Sequence, residues 1–306
     1  MTRRACVIDT DPGTDDAIAL WLAMASPELD VRLVTVAGGN VGLDHTLRNA
    51  RAVVGLTAKT VPIVAGAEGP LLGAFMSETR VHGADGLAGV ALPHGPPATP
   101  GIAADAIRAL LRAERSVTLI GIGPATNLAL ALAAEPALID RVEEIVLMTG
   151  AWSEGNITPS AEFNAWSDPE ALAMLLACGR PVTLATLELT AQALVTPARI
   201  ATLRAAGSGA CLDAAARIME SVPTSRRFAH QGHPLHDPCA VAWLLDPTLF
   251  TSRDVHVHVE CAGVARGRTV VDRWERSGAA PNARLLDTLD AERFFAFLTE
   301  RLATLP

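Results

Sequence analysis

Short apolar runs alternate with segments of helical periodicity through the first two thirds of this 306-residue chain. The apolar runs, which we predict as strands, cover 5–9, 31–39, 61–66, 116–123, 143–150 and 181–189. The helical segments between them cover 15–25, 45–57, 102–114, 124–134 and 169–178. Strands that are apolar along their whole length are typical of a parallel sheet with helices on both faces. We therefore predict an α/β fold of Rossmann-like type, with an open, mainly parallel (mixed) sheet flanked by helices.

Two stretches interrupt this alternation, a Gly- and Pro-rich one at 66–100 and a polar one at 151–166. Loops of this length inside a compact domain are usually functional or mobile. The last third is more mixed, with predicted helices at 197–222, 237–245 and 290–303 and predicted strands at 254–260 and 267–272. Because the chain has no internal repeat and no linker-like composition, we predict that residues 1–306 form a single domain.

The charge distribution excludes several classes of partner. The net charge is −8, and of the 25 basic residues only Lys59 is a lysine, with no basic run anywhere. Nucleic acids and anionic membranes attract clustered positive charge, so neither is an expected partner. No apolar run approaches the roughly 18 residues that a membrane-spanning helix needs.

The five cysteines are widely spaced and form no CxxC pair. This pattern argues against a disulfide framework and against a zinc site, and it is typical of buried thiols in a reducing compartment. Residues 1–4 lead directly into a strand-like run without a signal-peptide pattern. We therefore expect a cytoplasmic protein.

Four aspartates lie within the eight residues DTDPGTDD at 9–16, between the first predicted strand and the first predicted helix. Asp9 and Asp11 are two positions apart, so on an extended backbone they point the same way. Asp15 and Asp16 fall in the first turn of the helix. Carboxylates this close raise one another's pKa, and a hard cation with oxygen ligands is the simplest compensation. The alternative is that Asp15 and Asp16 only cap the helix and that Asp11-Pro12-Gly13 is an ordinary turn, which explains two or three of the acids but not all four.

His236 and Asp237 form a second motif, LHDPCAVAWLL at 235–245. Asp-Pro before an apolar helix is what an N-cap followed by proline looks like, so Asp237 could be only a cap. Three histidines lie within seven residues here, at 230, 233 and 236. Histidine is the side chain best suited to donate a proton near neutral pH, which favours a catalytic role for His236.

The polar loop EGNITPSAEFNAW at 154–166 carries Asn156, Glu162 and Asn164 after a buried strand. Amides and a carboxylate at the mouth of a sheet are suited to binding hydroxyl groups, as in a sugar. The alternative is a polar loop whose side chains bond only to their own backbone.

Other polar or flexible positions follow other predicted strands. Asn40 comes after two glycines in AGGN, and the turn LIGIGP at 119–124 allows a backbone carbonyl to reach a ligand. His82 lies in the long loop, within VHGADG. In open parallel sheets ligands bind at the carboxyl ends of the strands. The aspartates, Asn40, the 119–124 turn and the 154–166 loop all follow strands in this way, so we expect one site.

Together these segments resemble the inosine-uridine nucleoside N-ribohydrolases. The resemblance rests on DTDPGTDDA, AGGN, VHG, EGN…AEFN and HDPCAVA, which occur in the family's order over about residues 5–245. It implies a Ca²⁺-dependent hydrolysis of the bond between ribose and base, with a nucleoside as the partner. It also suggests a homodimer or homotetramer.

The resemblance also implies a role for each matched residue. The implied cation ligands are Asp11, Asp16, Asp237 and the backbone carbonyl of Ile122. Asp11 is also the implied general base, His236 the candidate acid beside the base, and Asp9 a support behind the ligands. The implied substrate contacts are Asp15, Asn40, His82, Asn156, Glu162 and Asn164.

One departure from the family is the absence of tyrosine. Broad-specificity members use tyrosines on a segment before HDP to help the base leave. The corresponding stretch at 221–238 carries Arg226, Arg227, Phe228, His230 and His233 instead. The purine-specific branch has a tryptophan where this chain has His236.

The predicted substrates are therefore pyrimidine ribonucleosides such as uridine and cytidine, with a broad inosine-uridine hydrolase as the alternative. Two other classes stay open. One is a Mg²⁺-dependent phosphohydrolase with an aspartate nucleophile, which would want a lysine near the phosphate. The other is a ribose- or nucleoside-binding protein without catalysis.

Overall fold

The computed structural model of the chain describes residues 3–224 and 226–306. These residues form eleven strands and twelve α-helices, joined by loops and short 3₁₀ turns. The strands are β1 Arg4–Thr10, β2 Leu29–Val36, β3 Ile63–Ala65, β4 Val117–Gly121, β5 Val142–Met148, β6 Val182–Ala185, β7 Leu194–Val195, β8 His233–Pro234, β9 Phe250–Val259, β10 Thr269–Asp272 and β11 Ala283–Leu289. The helices are α1 Thr14–Ala25, α2 Leu43–Leu56, α3 Thr79–His82, α4 Ala103–Ala113, α5 Thr126–Ala134, α6 Phe163–Ser167, α7 Pro169–Leu176, α8 Leu187–Thr190, α9 Pro197–Ala205, α10 Ala210–Ser221, α11 Pro238–Leu245 and α12 Ala291–Leu302.

Nine of the strands form one sheet, in the order β10-β9-β11-β6-β5-β4-β1-β2-β3. The strands from β11 to β3 pair in parallel, whereas β9 is antiparallel to both β11 and β10. β7 and β8 form a separate antiparallel pair. The predicted α/β fold with an open, mainly parallel mixed sheet is therefore confirmed.

Helices cover both faces of the sheet, which is why the central strands are apolar along their length. Neighbouring residues of β1 point into different cores, Val7 into one and Ile8 into the other. The first core contains Trp21, whose indole N–H donates to the carbonyl of Val53 at 2.9 Å. The described residues include no helix that is both long and apolar enough to cross a membrane.

Three element predictions were wrong. The helix predicted at 197–222 is two helices, α9 and α10, which are separated at 206–209, where Gly207 and Gly209 lower the helical propensity. The strand predicted at 181–189 ends at Ala185 and continues as the short helix α8. β11 was not predicted, because its sequence ARLLDTL mixes polar residues into a strand that nevertheless lies inside the sheet.

The two predicted loops carry short helices, α3 in the stretch 66–100 and α6 at the end of the stretch 151–166. Both emerge at the carboxyl edge of the parallel strands. At this edge β1 lies between β4 and β2, with Asp9 opposite Gly121 on one side and Thr35 on the other. The segments after these three strands therefore converge on one place.

Candidate active site

A cavity of about 370 Å³ opens at this edge of the sheet. Nine of the twelve site residues that we predicted contribute to its wall, and the other three, Asp9, Asp11 and Asp16, are fully or almost fully buried outside the wall. The nine are Asp15, Asn40, His82, Ile122, Asn156, Glu162, Asn164, His236 and Asp237. The structure therefore brings together residues from the whole length of the chain between the first strand and α11.

Asp16 is held by hydrogen bonds from the turn that precedes it. Its Oδ1 accepts from the hydroxyl of Thr10 at 2.6 Å and from the backbone N–H of Asp11 at 3.3 Å. Its Oδ2 accepts from the backbone N–H of Gly13 at 2.9 Å and from the side-chain amide of Asn40 at 3.0 Å. Burial, and then the charge of Asp15, raise the pKa of Asp16 to about 6.

Asp11 has one satisfied and one unsatisfied carboxylate oxygen. Its Oδ2 accepts from the backbone N–H of Asn40 at 2.7 Å. Its Oδ1 is buried and makes no hydrogen bond with any described residue. Burial, and then the neighbouring charge of Asp16, hold the pKa of Asp11 well above its usual range. A buried carboxylate oxygen without a partner is costly unless a cation or a water occupies the space beside it.

Asp11, Asp15, Asp16 and Asp237, which we call the floor of the cavity, suit a divalent cation. Asp15, Asp16 and Asp237 each present one carboxylate oxygen within 4.8 Å of the others. The pKa of Asp237 lies well above its usual range because of burial and then the charges of Asp15, Asp16 and Asp11. Several buried carboxylates that repel one another, with one oxygen unsatisfied, match the all-oxygen ligand set of a hard cation. The three grouped oxygens include that of Asp15 and not that of Asp11, so the division of roles between these two aspartates stays a prediction.

Asp9 lies under this floor and is fixed by two side chains. Its Oδ1 accepts from the hydroxyl of Thr35 at 2.6 Å and from the amide of Asn127 at 2.9 Å. Burial raises the pKa of Asp9 to about 7. Asn127 also accepts, through its Oδ1, a hydrogen bond from the backbone N–H of Ala67 at 2.9 Å. Asn127 was not predicted, because a single asparagine in an apolar helix carries no chemical signature in the sequence.

The amide groups of Asn40 and Asn164 are both engaged with the floor. Asn40 donates through Nδ2 to the carbonyl of Asp11 at 3.1 Å as well as to Asp16. Asn164 donates through Nδ2 to the carbonyls of Met148, at 3.0 Å, and Ile122, at 3.3 Å. Asn40, Asn164 and Ile122 all line the cavity.

Glu162 is the N-cap of the short helix α6. Its carboxylate accepts from the backbone N–H groups of Gly150, Asn164 and Ala165 at 2.8, 2.8 and 3.0 Å. Burial raises its pKa in spite of these bonds. Asn156, in the loop before it, accepts from the backbone N–H of Phe163 at 2.9 Å and so orients its amide nitrogen away from that bond. The alternative of a self-satisfied polar loop is therefore correct in part, although all three predicted residues also line the cavity.

Three histidines line the cavity, and burial lowers the pKa of each. His82 Nδ1 accepts from the backbone N–H of Thr14 at 3.2 Å, so its ring proton lies on Nε2. His236 Nδ1 is 2.7 Å from the hydroxyl of Thr190. The pKa of His233 is lowered to about 4. Of the five residues that we singled out in the segment 221–238 in place of tyrosine, Arg227, Phe228 and His233 line the cavity, whereas Arg226 and His230 do not. Ser225 of this segment lies outside the described residues.

The sequence did not predict the apolar part of the wall. Its members come from α1, α3, α8 and α10 and from the following segment, and they include Ile18, Val81, Leu187, Ile218, Met219 and Phe228. In the sequence such residues are indistinguishable from ordinary core positions of amphipathic helices. The cavity thus has a carboxylate-rich floor and an apolar side, as a sugar joined to a flat base requires.

Residues 6–296 match the family model described as inosine-uridine preferring nucleoside hydrolase. The chain belongs to this family. It is therefore a nucleoside hydrolase, an enzyme that cleaves N-glycosyl bonds. Among curated proteins, it is 41% identical to the pyrimidine-specific ribonucleoside hydrolase RihA of Klebsiella pneumoniae, over 97% of each chain. It is also 41% identical to an uncharacterised protein of Schizosaccharomyces pombe, over 98% of this chain and 99% of the other.

Solved structures of nucleoside hydrolases share the fold of the whole chain. A purine-preferring ribonucleoside hydrolase from Gardnerella vaginalis superposes with a TM-score of 0.90 at 29% identity, over 98% of each chain. An inosine-guanosine nucleoside hydrolase superposes with a TM-score of 0.89 at 28% identity, over 99% of this chain and 100% of the other. The fold is therefore common to members with different base preferences.

Proposed function

We propose that this nucleoside hydrolase cleaves the N-glycosidic bond of pyrimidine ribonucleosides, uridine and cytidine, in a Ca²⁺-dependent reaction. The observation that carries the proposal is the meeting of the Asp15, Asp16 and Asp237 carboxylates beside one cavity that also has an apolar side. The first feature suits a cation and a sugar with hydroxyl groups. The second suits a flat base.

Asp11, Asp16, Asp237 and the carbonyl of Ile122 would hold the cation. The unsatisfied Oδ1 of Asp11 and the raised pKa values of the aspartates support this assignment. Ca²⁺ is favoured over Mg²⁺ because it accepts many protein oxygen ligands in flexible geometry, whereas Mg²⁺ usually keeps several waters. A cation bound there would supply positive charge that makes a nearby water more acidic.

Asp11 is the proposed general base, which takes the proton from the attacking water. As the bond to the base breaks, positive charge develops on the ribose ring, and the nearby carboxylates stabilise it. Asp15, Asn156, Glu162 and Asn164 would bind the ribose hydroxyls and fix the ring for attack. The position of Asp15 supports this role, since Asp15 lines the cavity.

His236 is the proposed acid beside the base, with His82 as a second donor. The His82 tautomer, with Nδ1 accepting from Thr14, gives it an Nε2–H that can donate to a ligand. His236 is held by Thr190 through Nδ1. Neutral histidines can donate a hydrogen bond to the base, although neither begins as an imidazolium at neutral pH.

The proposed preference for pyrimidines has two supports. The relatives at 40–41% identity include several pyrimidine-specific ribonucleoside hydrolases. His236 also occupies the position where purine-specific members carry tryptophan. The purine-preferring structure from Gardnerella vaginalis is more distant, at 29% identity. A broad inosine-uridine hydrolase is the alternative within the same chemistry.

We also propose that the enzyme is a cytoplasmic homodimer or homotetramer in which residues 1–306 form one domain. The five cysteines are free, as expected in a reducing compartment. Exposed apolar side chains such as Leu72 and Trp274, at 61% and 81% exposure, are suited to subunit contacts. Light scattering after size-exclusion chromatography measures the subunit number, and a monomer would contradict the proposal.

Turnover of uridine, cytidine, inosine and adenosine tests the function. The enzyme is first treated with EDTA and then assayed with Ca²⁺, with Mg²⁺ and without added metal. We expect release of free base from uridine and cytidine, at least about 10-fold faster with Ca²⁺ than without metal. Asp11→Ala should lose nearly all turnover, whereas Asp140→Ala, at an exposed position, should not. Preferential turnover of inosine or adenosine would contradict the pyrimidine assignment.

A further inference from the structure

Arg227 is the only lysine or arginine among the described residues that line the cavity. The same wall carries four carboxylates, those of Asp15, Glu78, Glu162 and Asp237. Because arginine stays protonated at all working pH values, its guanidinium is the one permanently positive side chain of this wall among the described residues.

Arg227 connects two segments of the cavity wall that are distant in sequence. It belongs to the 3₁₀ turn Arg226–Phe228. Its Nη1 donates to the carbonyl of Gly155 at 3.5 Å, and its Nη2 lies 3.8 Å from the carboxylate of Glu154. Both partners belong to the loop that carries Asn156. The Arg227 side chain is 33% exposed, so its charge is partly shielded from bulk solvent.

The proposed reaction creates opposite charges in the two halves of the substrate. When the bond between C1′ of the ribose and N1 of the pyrimidine breaks, both electrons go to N1. The ribose becomes cation-like and the base becomes anion-like. The carboxylates at the floor stabilise the first charge but oppose the second. A positive group at the wall is needed where the negative charge develops.

We propose that Arg227 stabilises the negative charge that develops on the leaving pyrimidine, acting beside the proposed acid His236. The C1′–N1 bond breaks, the water oxygen bonds to C1′, and the water proton goes to the general base. The base nitrogen takes its proton from His236, the proposed acid, or from solvent. This inference rests on the proposed function, and it explains how a chain without tyrosine assists the leaving group.

A purely structural role for Arg227 is the competing explanation, since its contacts to Gly155 and Glu154 join two segments. The two explanations differ in how the rate depends on the leaving group. A residue that stabilises the leaving anion matters less when the leaving group is intrinsically stable as an anion. A residue that only holds the cavity together affects good and poor leaving groups equally.

The test compares uridine with 4-nitrophenyl β-D-ribofuranoside, whose leaving group is a stable anion. In Arg227→Met we expect kcat/KM for uridine to fall about 100-fold, the effect of removing one electrostatic donor, and that for the nitrophenyl riboside to fall less than about 3-fold. Arg227→Lys keeps the charge and should recover at least part of the uridine rate. Arg226→Met is the matched control, because Arg226 is the exposed neighbour outside the cavity wall, and it should leave both rates unchanged.

Equal losses on both substrates in Arg227→Met would overturn the inference in favour of a structural role. An unchanged uridine rate would also overturn it. Circular dichroism and the thermal midpoint of each variant establish that it is folded. The wild-type enzyme separates this inference from the proposed function. If the wild type hydrolyses neither riboside, the proposed function fails. If it hydrolyses both, the role of Arg227 is decided by the ratio of the kcat/KM losses that Arg227→Met causes on the two substrates.

Discussion

Gly39 lies directly against the carboxylate of Asp11, so that a Cβ atom at position 39 would be 2.0 Å from Asp11 Oδ2. On the other side, a Cβ at Gly123 would be 2.5 Å from Asp11 Oδ1. Neither glycine has a positive φ, so both are required by space and not by backbone conformation. The two glycines let the segments after β2 and β4 close tightly on this aspartate.

We predict that Gly39→Ala inactivates the enzyme without unfolding it. The added methyl group must displace the Asp11 carboxylate, which breaks the 2.7 Å hydrogen bond from the backbone N–H of Asn40. A displacement of about 1 Å in a catalytic group costs about 100-fold in rate, so kcat for uridine should fall by at least that factor. Gly42→Ala is the control, because a methyl group at position 42 would have no atom within 4 Å and the φ of Gly42 is −61°. Wild-type kcat in Gly39→Ala would mean that Asp11 need not be held there.

The location of the site could be predicted from the sequence, because polar residues follow strands whose order along the chain implies a common edge. Asp9, Asn40 and Asn164 were found in this way. The positions of β11 and the apolar wall could not be predicted. β11 contains Asp287 and lacks the apolar run of a central strand, yet it is inserted between β6 and β9 by pairings with residues far away in sequence.

The division of work among the acidic residues was the least predictable feature. The sequence pattern treats Glu162 as a sugar-binding carboxylate, whereas three backbone N–H groups also make it the cap of α6. The spacing of Asp15 and Asp16 does not distinguish them either. Asp16 accepts four hydrogen bonds and is buried, whereas Asp15 faces the cavity. Such differences depend on the direction in which each side chain leaves the helix and on its hydrogen-bond partners in the folded protein. The spacing of residues in the sequence does not contain this information.

We predict that Asp237→Asn abolishes the stabilisation by Ca²⁺ and stabilises the metal-free protein. The raised pKa of Asp237 means that the folded protein binds a proton that the unfolded chain has released, so the stability of the metal-free protein falls as pH rises above the ordinary aspartate value. Asparagine removes the buried charge that causes this loss. Urea unfolding at pH 8 in EDTA should give a higher midpoint for the variant. Added Ca²⁺ should raise the thermal midpoint of the wild type and of the exposed control Asp140→Asn, but not that of Asp237→Asn.

We predict that His233→Gln reduces the decrease in unfolding free energy that the protein shows as the pH falls into the acidic range. The folded pKa of His233 is about 4, and the ordinary value is 6.5. Between these values the unfolded chain is protonated and the folded protein is not, so stability is lost as pH falls from about 6.5 towards 4. Between pH 7.5 and 4.5 the variant should lose roughly 2 to 3 kcal/mol less unfolding free energy than the wild type. His94→Gln, at an exposed position, should follow the wild-type curve, and identical slopes for all three proteins would refute the assignment.

We predict that Thr190→Val lowers kcat about 10- to 100-fold with little change in KM, within the range for a misplaced general acid. The Thr190 hydroxyl lies 2.7 Å from Nδ1 of the half-buried His236 and fixes the orientation of the ring. Valine has nearly the same volume as threonine but cannot form this bond, so the imidazole loses its partner while packing is retained. Thr190→Ser keeps the hydroxyl and should retain most of kcat. A general acid is active in its protonated form, so the alkaline limb of the kcat profile should shift in Thr190→Val, whereas a structural defect would not change the pH dependence. If the valine variant matches the serine variant in rate and pH profile, His236 does not act through this orientation.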